Sequence, residues 1–398
     1  MRIRRFSLKS FYNLVTFAFL FCIIFGTAIP PLIYNVTILL FVVISLFFRT
    51  VKSKIFYNKY IVWWLVVCLF VLINATYSFY PENTYELLVS AIVRLIILLA
   101  FIQYTATLDD IKLVLKYLQI IGVFLVAYAL IVERTTFLTE GLGQSVGGRI
   151  TLSYQIIFIT MIYFYELINK PKFMTFLFTI FVYAGCFLTM GRKAVIIPLI
   201  FLFFILIIKS RNNILKLIKN LFTFGLTVIA VLLLAFKVPL LYELFGSRLE
   251  GLMNLFLNKT GVDESTLVRQ SMANYGLQMI ESNPILGYGV DTYRSMSTFG
   301  LYSHNNFIET MFGGGLLFLI IYYSIHLIVI LILWKRIKMN VPYADFFLAV
   351  MISLLFFDTG SISYFIFIVH ILLSMASSFC DIGKSYRYKA SDVKINTP

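Results

Sequence analysis

The chain has 398 residues, of which 61% are hydrophobic and only 13% are charged. About one-quarter of the residues in a soluble domain are charged, so this composition excludes a soluble globular protein and indicates a chain that faces lipid. The formal net charge is +15, but the Lys and Arg residues lie in short clusters between apolar segments. That pattern is typical of the cytoplasmic connections of membrane proteins, and we therefore reject a nucleic-acid-binding function.

Apolar segments occupy most of the chain, and most of them are long enough to cross a bilayer as a helix. The first follows the basic sequence MRIRRFSLK, has no clear cleavage site and is predicted to be a retained helix. Twelve segments cover residues 11–29, 32–48, 60–79, 87–106, 113–132, 151–169, 173–190, 194–208, 220–236, 310–334, 343–358 and 362–380. The sequence therefore predicts an all-α polytopic protein, with residues 1–398 forming one membrane domain.

The distribution of positive charge predicts the orientation of this domain. With the N-terminus in the cytoplasm, most Lys and Arg residues fall on cytoplasmic connections, and three short outer turns carry none. Both termini are then cytoplasmic. The polar C-terminal tail, residues 381–398, is predicted to be disordered.

One connection, residues 237–303, is much longer than the others, and the charge distribution places it outside. Residues 240–257 have apolar groups at helical spacing with a polar remainder, which is typical of an amphipathic helix at a membrane surface. Residues 265–281 predict a second helix, with Ser265 as its N-cap. Long connections in compact proteins are commonly functional, so we expect chemistry in this loop.

Cationic side chains lie near the predicted outer surface at two places. Arg192 and Lys193 follow Gly191 between the seventh and eighth segments, and Arg269 lies in the second loop helix. They could snorkel to lipid headgroups or bind an anionic substrate, and spacing alone leaves both open. Arg94 lies within the fourth segment, where a charged side chain is energetically unfavourable in the bilayer. It therefore has either a structural role or a ligand.

The segment at residues 302–309 is where the long loop meets the next apolar segment. His304 is the only histidine at a predicted aqueous boundary, since His326 and His370 lie within apolar segments. An imidazole that titrates near neutrality can accept a proton or hold a hydroxyl group. Helical spacing puts Asn305, rather than His304, on the same face as Glu309, so this pattern alone does not establish a catalytic pair.

These segments together resemble the O-antigen polymerase and ligase superfamily, which comprises Wzy-type polysaccharide polymerases and WaaL-like ligases. The family pattern is an Arg-bearing helix, Pro-x-x-Gly-x-Gly, His-Asn, an acidic residue and a Gly-rich helix start. The chain matches this pattern with Arg269, Asn283-Pro284-Ile285-Leu286-Gly287-Tyr288-Gly289, His304-Asn305, Glu309, Gly313-Gly314-Gly315 and, upstream, Gly191-Arg192-Lys193-Ala194. The resemblance covers residues 190–320 and the plan of twelve spans with one long late outer loop.

The resemblance implies a GT-C-like glycosyltransferase in the cytoplasmic membrane of a bacterium. Its substrate would be an oligosaccharide linked to undecaprenyl diphosphate or a similar polyprenyl diphosphate, with no cofactor, metal or nucleotide sugar. Arg192 and Arg269 would stabilise the charge of the leaving diphosphate, and His304 would orient or deprotonate the attacking hydroxyl group, with inversion at the anomeric carbon. Further substrate-binding candidates are Arg248, Arg149, Lys193, Asn305 and Glu309, while the role of Arg94 is left open. Membrane lipids, a flippase and a chain-length regulator are the expected partners.

Three functions are compatible with these features. The first is a polymerase that joins repeat units of a capsular polysaccharide, exopolysaccharide or O-antigen. The second is a ligase that transfers a finished glycan to a final acceptor, and the third is a flippase for the lipid-linked oligosaccharide. We favour the polymerase: a flippase needs a site near the bilayer midplane, and a ligase needs a lipopolysaccharide core. The richness in Lys, Asn, Ile and Phe instead suggests an AT-rich, Gram-positive genome, without such a core.

Overall fold

The computed structural model describes residues 8–48, 56–257 and 264–394, and all regular secondary structure in these ranges is helical. The helices are α1 (Leu8–Phe25), α2 (Pro31–Phe48), α3 (Lys59–Ala75), α4 (Pro81–Tyr104), α5 (Leu108–Val132), α6 (Phe137–Glu140), α7 (Arg149–Asn169), α8 (Phe173–Leu188), α9 (Arg192–Ser210), α10 (Ile214–Lys237), α11 (Pro239–Leu241), α12 (Ser247–Phe256), α13 (Glu264–Ser282), α14 (Tyr293–Met296), α15 (Asn306–Lys338), α16 (Ala344–Asp358) and α17 (Phe367–Lys394). The predicted all-α class is confirmed.

Each of the twelve predicted apolar segments coincides with one of these helices. Among the described residues, seven helices are long and apolar enough to cross a membrane, namely α1, α4, α5, α7, α9, α10 and α15. Helices α2, α3 and α8 and the first part of α17 are shorter apolar helices. The chain is therefore a multi-pass membrane protein. The number of spans, twelve, stays a prediction.

The orientation of the bundle also stays a prediction. Two basic clusters on which it depends, within residues 1–7 and 49–55, lie outside the described residues. Helix α17 ends at Lys394, inside the tail whose composition predicts disorder, and the disorder of residues 381–398 is likewise untested.

Polar residues at the chain reversals set where several helices begin. Asn58, Thr107 and Asn213 each accept a hydrogen bond from a backbone N–H in the first turn of α3, α5 and α10. Such caps satisfy amide groups that lack a partner inside the helix. Pro81 is the first residue of α4, where its missing N–H costs nothing. These capping residues and Pro81 determine where the helices begin, and polar side chains lie at these ends of the bundle.

The long loop is packed into the bundle through a break in α15. Gly314 and Gly315 have non-helical backbone angles, and Leu316 N donates to Pro284 O at 2.8 Å. The freed carbonyls of Phe312 and Gly313 accept hydrogen bonds from the N–H groups of Tyr288 and Gly289, at 2.9 and 2.7 Å. The break in the helix therefore provides the backbone partners that the loop needs.

Glycine is required at these close approaches. Gly287 has φ +66°, and a Cβ there would lie 2.6 Å from Phe312 O; a Cβ on Gly315, which has φ +64°, would collide with the Ile285 carbonyl. The Pro-x-x-Gly-x-Gly and Gly-rich segments of the sequence pattern are therefore structural parts of one loop-to-helix joint.

The two predicted loop helices differ in detail from the structure. The segment 240–257 is divided into α11, a π-helical turn (Tyr242–Gly246) and α12. Helix α13 begins at Glu264, so Ser265 lies inside it and the predicted N-cap is wrong. Gly276 of α13 faces α15, since a Cβ there would contact Ile308 Cγ2. This close packing fixes α13, and with it Arg269, against the start of α15.

Candidate active site

The turn before α9 and the loop helices α12 and α13 meet at one end of the bundle. Arg192, the first residue of α9, donates from Nη1 to Thr266 Oγ1 at 2.8 Å and to Arg248 O at 3.2 Å. Its Nη2 lies 3.5 Å from Ser265 Oγ. Arg192 is half-buried, so its guanidinium is held by both loop helices while part of it faces the surroundings.

Arg248 and Arg149 approach the same turn from two other directions. Arg248 Nη1 donates to Met190 O at 3.0 Å, and Arg149 Nη1 lies 4.0 Å from Met190 Sδ. Met190 has φ +57°, a left-handed conformation that costs about 1–2 kcal/mol in a residue with a side chain. The turn that presents Arg192 is thus held in place by two further arginines.

Lys193 points from α9 to the turn that follows α16. Its Nζ donates to Ser361 Oγ at 2.9 Å, and a Cβ on Gly360 would lie 3.0 Å from the same Nζ. Lys193 also interacts electrostatically with Arg269, Arg192 and Asp358. The three predicted cations Arg192, Lys193 and Arg269 are therefore brought together from α9 and α13.

His304 lies beside these cations, at the end of the long loop. It is half-buried, and its backbone has φ +57°. Burial, and then the positive charges of Arg269 and Lys193, lower the pKa of His304 to about 4. The imidazole is consequently neutral at pH 7, and a neutral imidazole can accept a proton.

Asn305 and Glu309 hold the His304 turn through backbone hydrogen bonds. Asn305 Oδ1 caps α15 by accepting from Phe307 N at 2.9 Å and Ile308 N at 3.2 Å. Glu309 is buried, and its Oε2 accepts from Ser303 N at 2.9 Å. Both residues were expected in substrate binding, and these contacts give them a positioning role on either side of His304.

Arg94 is not part of this group. Its guanidinium donates to Tyr364 O and, at 3.4 Å, to Phe365 O, and the residue is only 9% exposed. Glu82 and Glu86, the acids near the start of its own helix α4, are not its hydrogen-bond acceptors. Arg94 therefore holds the connection between α16 and α17.

Sequence analysis did not identify several polar residues of this region. Tyr154 of α7 lies beside Ser361 and Arg269, and Thr266 is a direct partner of Arg192. A tyrosine within an apolar segment and a threonine in an amphipathic helix have no distinguishing sequence pattern. Asn306, the first residue of α15, contacts Asp358, the last residue of α16, with Nδ2 at 3.5 Å from Oδ2.

The arrangement is suited to an anionic group next to a nucleophile. Guanidinium groups bind phosphate oxygens through paired, charge-assisted hydrogen bonds and keep their charge. Partly buried cations stabilise developing negative charge more strongly than cations in water do. The neighbouring imidazole adds a proton acceptor, so the site can stabilise a phosphate leaving group and take a proton from an attacking hydroxyl group.

Comparison with known families agrees with the residues at this site. The family model described as O-antigen ligase (Wzy_C) matches residues 176–323, a range that begins in α8, ends in α15 and contains Arg192, Arg269 and His304. No curated protein matches the chain. Members of the matched family are glycosyltransferase-like ligases and polymerases that act on lipid-linked oligosaccharides. The match over residues 176–323 supports the resemblance of this chain to the O-antigen polymerase and ligase superfamily.

Proposed function

We propose that this protein is a polysaccharide polymerase that transfers a growing glycan from a polyprenyl diphosphate to the next lipid-linked repeat unit. The observation that carries this proposal is the gathering of Arg192, Lys193 and Arg269 around the neutral imidazole of His304. By the predicted orientation, the reaction occurs on the outer face of the cytoplasmic membrane.

In the proposed reaction, a hydroxyl oxygen of the acceptor sugar attacks the anomeric carbon of the donor. A new C–O bond forms on one face of the sugar while the bond to the diphosphate oxygen breaks on the other, which inverts the anomeric configuration. The hydroxyl proton passes to His304, and the polyprenyl diphosphate leaves with its electron pair. Arg192 and Arg269 stabilise the negative charge that grows on its oxygens.

Donor binding would also strengthen the base. Arg269 and Lys193 contribute to the low pKa of His304, because a second positive charge is unfavourable beside them. A bound diphosphate offsets these charges, so the pKa of His304 rises toward its ordinary value. His304 then accepts a proton more readily when the donor is in place.

An apolar groove beside the cations fits the lipid part of such a donor. It has a volume of about 440 Å³ and lies between α9, α10 and the loop helix α12. Its walls include Val195, two positions after Lys193, and Leu249, next to Arg248. A polyprenyl chain in this groove would leave its diphosphate at the arginine cluster.

The ligase remains the second candidate because it would break the same bond and use the same cations. The decisive experiment incubates the purified protein with lipid-linked repeat units, with and without a chelator. A polymerase gives a ladder of products that is insensitive to the chelator. A single transfer to a different acceptor, with no ladder, contradicts the polymerase and supports the ligase.

Substitutions test the site itself. Arg192→Ala, Arg269→Ala and His304→Ala should each reduce polymerisation by about 100-fold or more, the usual loss when one transition-state contact is removed. Arg134→Ala is a matched control, since Arg134 is an exposed cation after α5 at the same end of the bundle. The proposal fails if folded, membrane-inserted variants retain wild-type rates. Single repeat units that accumulate on the cytoplasmic side would favour the flippase.

A further inference from the structure

A second cavity opens at the end of the bundle opposite to the arginine cluster. It has a volume of about 1120 Å³ and lies between the ends of α5, α7, α8 and α9 and the connection from α15 to α16. By the predicted orientation this is the cytoplasmic end. Nothing in the proposed reaction uses it, because the cavity is separated from Arg192 by the length of α9.

The polar part of this cavity is cationic. Five basic and two acidic side chains line it, namely Lys112, Lys116, Lys170, Lys209, Arg211, Glu166 and Asp345. Both acids already have protein partners: Asp345 pairs with Lys209 at 3.0 Å, and Glu166 accepts a hydrogen bond from Gln119. Lys112 is also paired, with Asp109 at 2.9 Å, so the remaining positive charge lies on Lys116, Lys170 and Arg211, against the one carboxylate of Glu166.

Two of the lysines carry most of this excess. Arg211 donates to Ile337 O at 2.7 Å and to Asn340 Oδ1 at 3.0 Å, which fixes it to the wall of the cavity. Lys116 of α5 and Lys170, between α7 and α8, are exposed, and within the described part of the chain neither side chain has a hydrogen bond or an ion pair. Both side chains line the same cavity.

The part of the same cavity that faces the membrane is apolar. Met174 and Phe178, on successive turns of α8, are 64% and 43% exposed, and Ile120 of α5 is 37% exposed. All three line the cavity next to the lysines. A soluble anion would leave this apolar wall uncovered, whereas an amphiphile would cover it.

We propose that this cavity is a binding site for an anionic phospholipid of the adjacent leaflet. The phosphate lies between Lys116 and Lys170, and the acyl chains follow the Ile120 and Phe178 wall along α5 and α8. Basic pockets between transmembrane helices on the cytoplasmic side are suited to anionic headgroups, and each nearby cation contributes about 1 kcal/mol. The bound lipid would join α5 to α8, the helix that leads to the Arg192 turn.

The test measures lipid binding to the purified full-length protein by native mass spectrometry. Phosphatidylglycerol and phosphatidylcholine with the same acyl chains are titrated separately, and inorganic phosphate forms a third arm. The wild type should prefer phosphatidylglycerol. Lys116→Gln/Lys170→Gln should weaken phosphatidylglycerol binding about 30-fold, the loss expected for two cations at about 1 kcal/mol each.

Two further variants distinguish a specific site from general surface charge. Lys216→Gln/Lys219→Gln removes two exposed lysines on α10 at the same end, outside the cavity, and should bind like the wild type. Lys116→Arg/Lys170→Arg keeps the charge and should keep the preference. Equal binding of the two lipids, or an equal loss in the α10 variant, overturns the proposal. Inorganic phosphate that binds as tightly as the lipid also overturns it and identifies the cavity as a free-anion site.

Binding should also appear as stability, which gives a readout independent of the mass spectrum. A ligand that binds only the folded state raises the unfolding temperature, by an amount that grows with the ratio of its concentration to its Kd. At the same concentration, phosphatidylglycerol should raise the melting temperature of the wild type and of the α10 variant alike, and raise that of Lys116→Gln/Lys170→Gln much less. A similar rise in all three proteins contradicts the site.

Discussion

The low pKa of His304 makes the pH dependence of the reaction an informative test. The acid limb of kcat/KM reports ionisations of the free protein, and that of kcat reports those of the substrate complex. At pH 5.5, an imidazole with an ordinary pKa of about 6.5 is about nine-tenths protonated, whereas a pKa of about 4 leaves it almost entirely neutral. We therefore expect kcat/KM to be nearly unchanged between pH 7 and 5.5, where an unperturbed base would lose about tenfold.

The two profiles should also differ from each other. Arg269 and Lys193 contribute to the low pKa of His304, and the charge of a bound diphosphate opposes both. The acid limb of kcat should consequently lie at higher pH than that of kcat/KM. In Lys193→Gln, the limb of kcat/KM should itself move upward, because one of the two repelling charges is gone while the burial of His304 is retained.

Initial rates of product formation, measured between pH 4.5 and 8 over a range of donor concentrations, give both profiles. Arg134→Gln serves as the control for a lost cation at the same end of the bundle and should leave both limbs in place. An acid limb of kcat/KM near pH 6.5 in the wild type would refute the electrostatic argument. Coincident limbs for kcat and kcat/KM would show that the bound diphosphate does not act on His304.

Three further results are expected. Gly287→Ala should lower the free energy of unfolding by about 3 kcal/mol, since it adds about 1–2 kcal/mol of left-handed strain and disturbs two hydrogen bonds of about 1 kcal/mol each. The control is Gly225→Ala, which has no atom within 4 Å of the added Cβ. It should be neutral or stabilising in the same thermal unfolding assay. Asn305→Ala should cost about 1 kcal/mol of stability and lower activity by displacing the neighbouring imidazole, and Asn305→Asp, which can still cap the helix, should retain both. The pKa of His304 is lower in the folded than in the unfolded chain, so protonation favours the unfolded state. The stability of the protein should therefore fall as the pH drops from about 6.5 to about 4. His304→Gln should reduce this loss.

The helices could be predicted from the sequence because lipid allows few alternatives. A spanning segment must satisfy its backbone polar groups internally, so apolar length alone predicted twelve segments that all coincide with helices. The details of the loop helices were predicted less well from the sequence. The π-helical turn Tyr242–Gly246 lies against α10 so closely that a Cβ on Gly246 would lie 2.3 Å from Ala235 O, and a hydrophobic pattern does not contain such packing.

The three candidate catalytic residues were identified from the resemblance, but their surroundings were not predictable. Thr266 and Ser361 become partners of Arg192 and Lys193 only because α13 and the α16 turn approach α9 in space. Arg94 illustrates the converse case. Its acceptors, Tyr364 and Phe365, lie some 270 positions later in the chain, so no local pattern could identify its structural role.

The geometry also separates the residues of the family pattern into two groups with different consequences. The glycines pair the loop with the broken helix α15 through backbone contacts. In the proposed reaction Arg192 and Arg269 bind the leaving group, which is the same for a polymerase and a ligase. Differences in acceptor must therefore arise on the other side of His304, where the hydroxyl group approaches. Residues on the acceptor side can differ between a polymerase and a ligase without changing the cations proposed to bind the diphosphate, because those cations lie on α9 and α13.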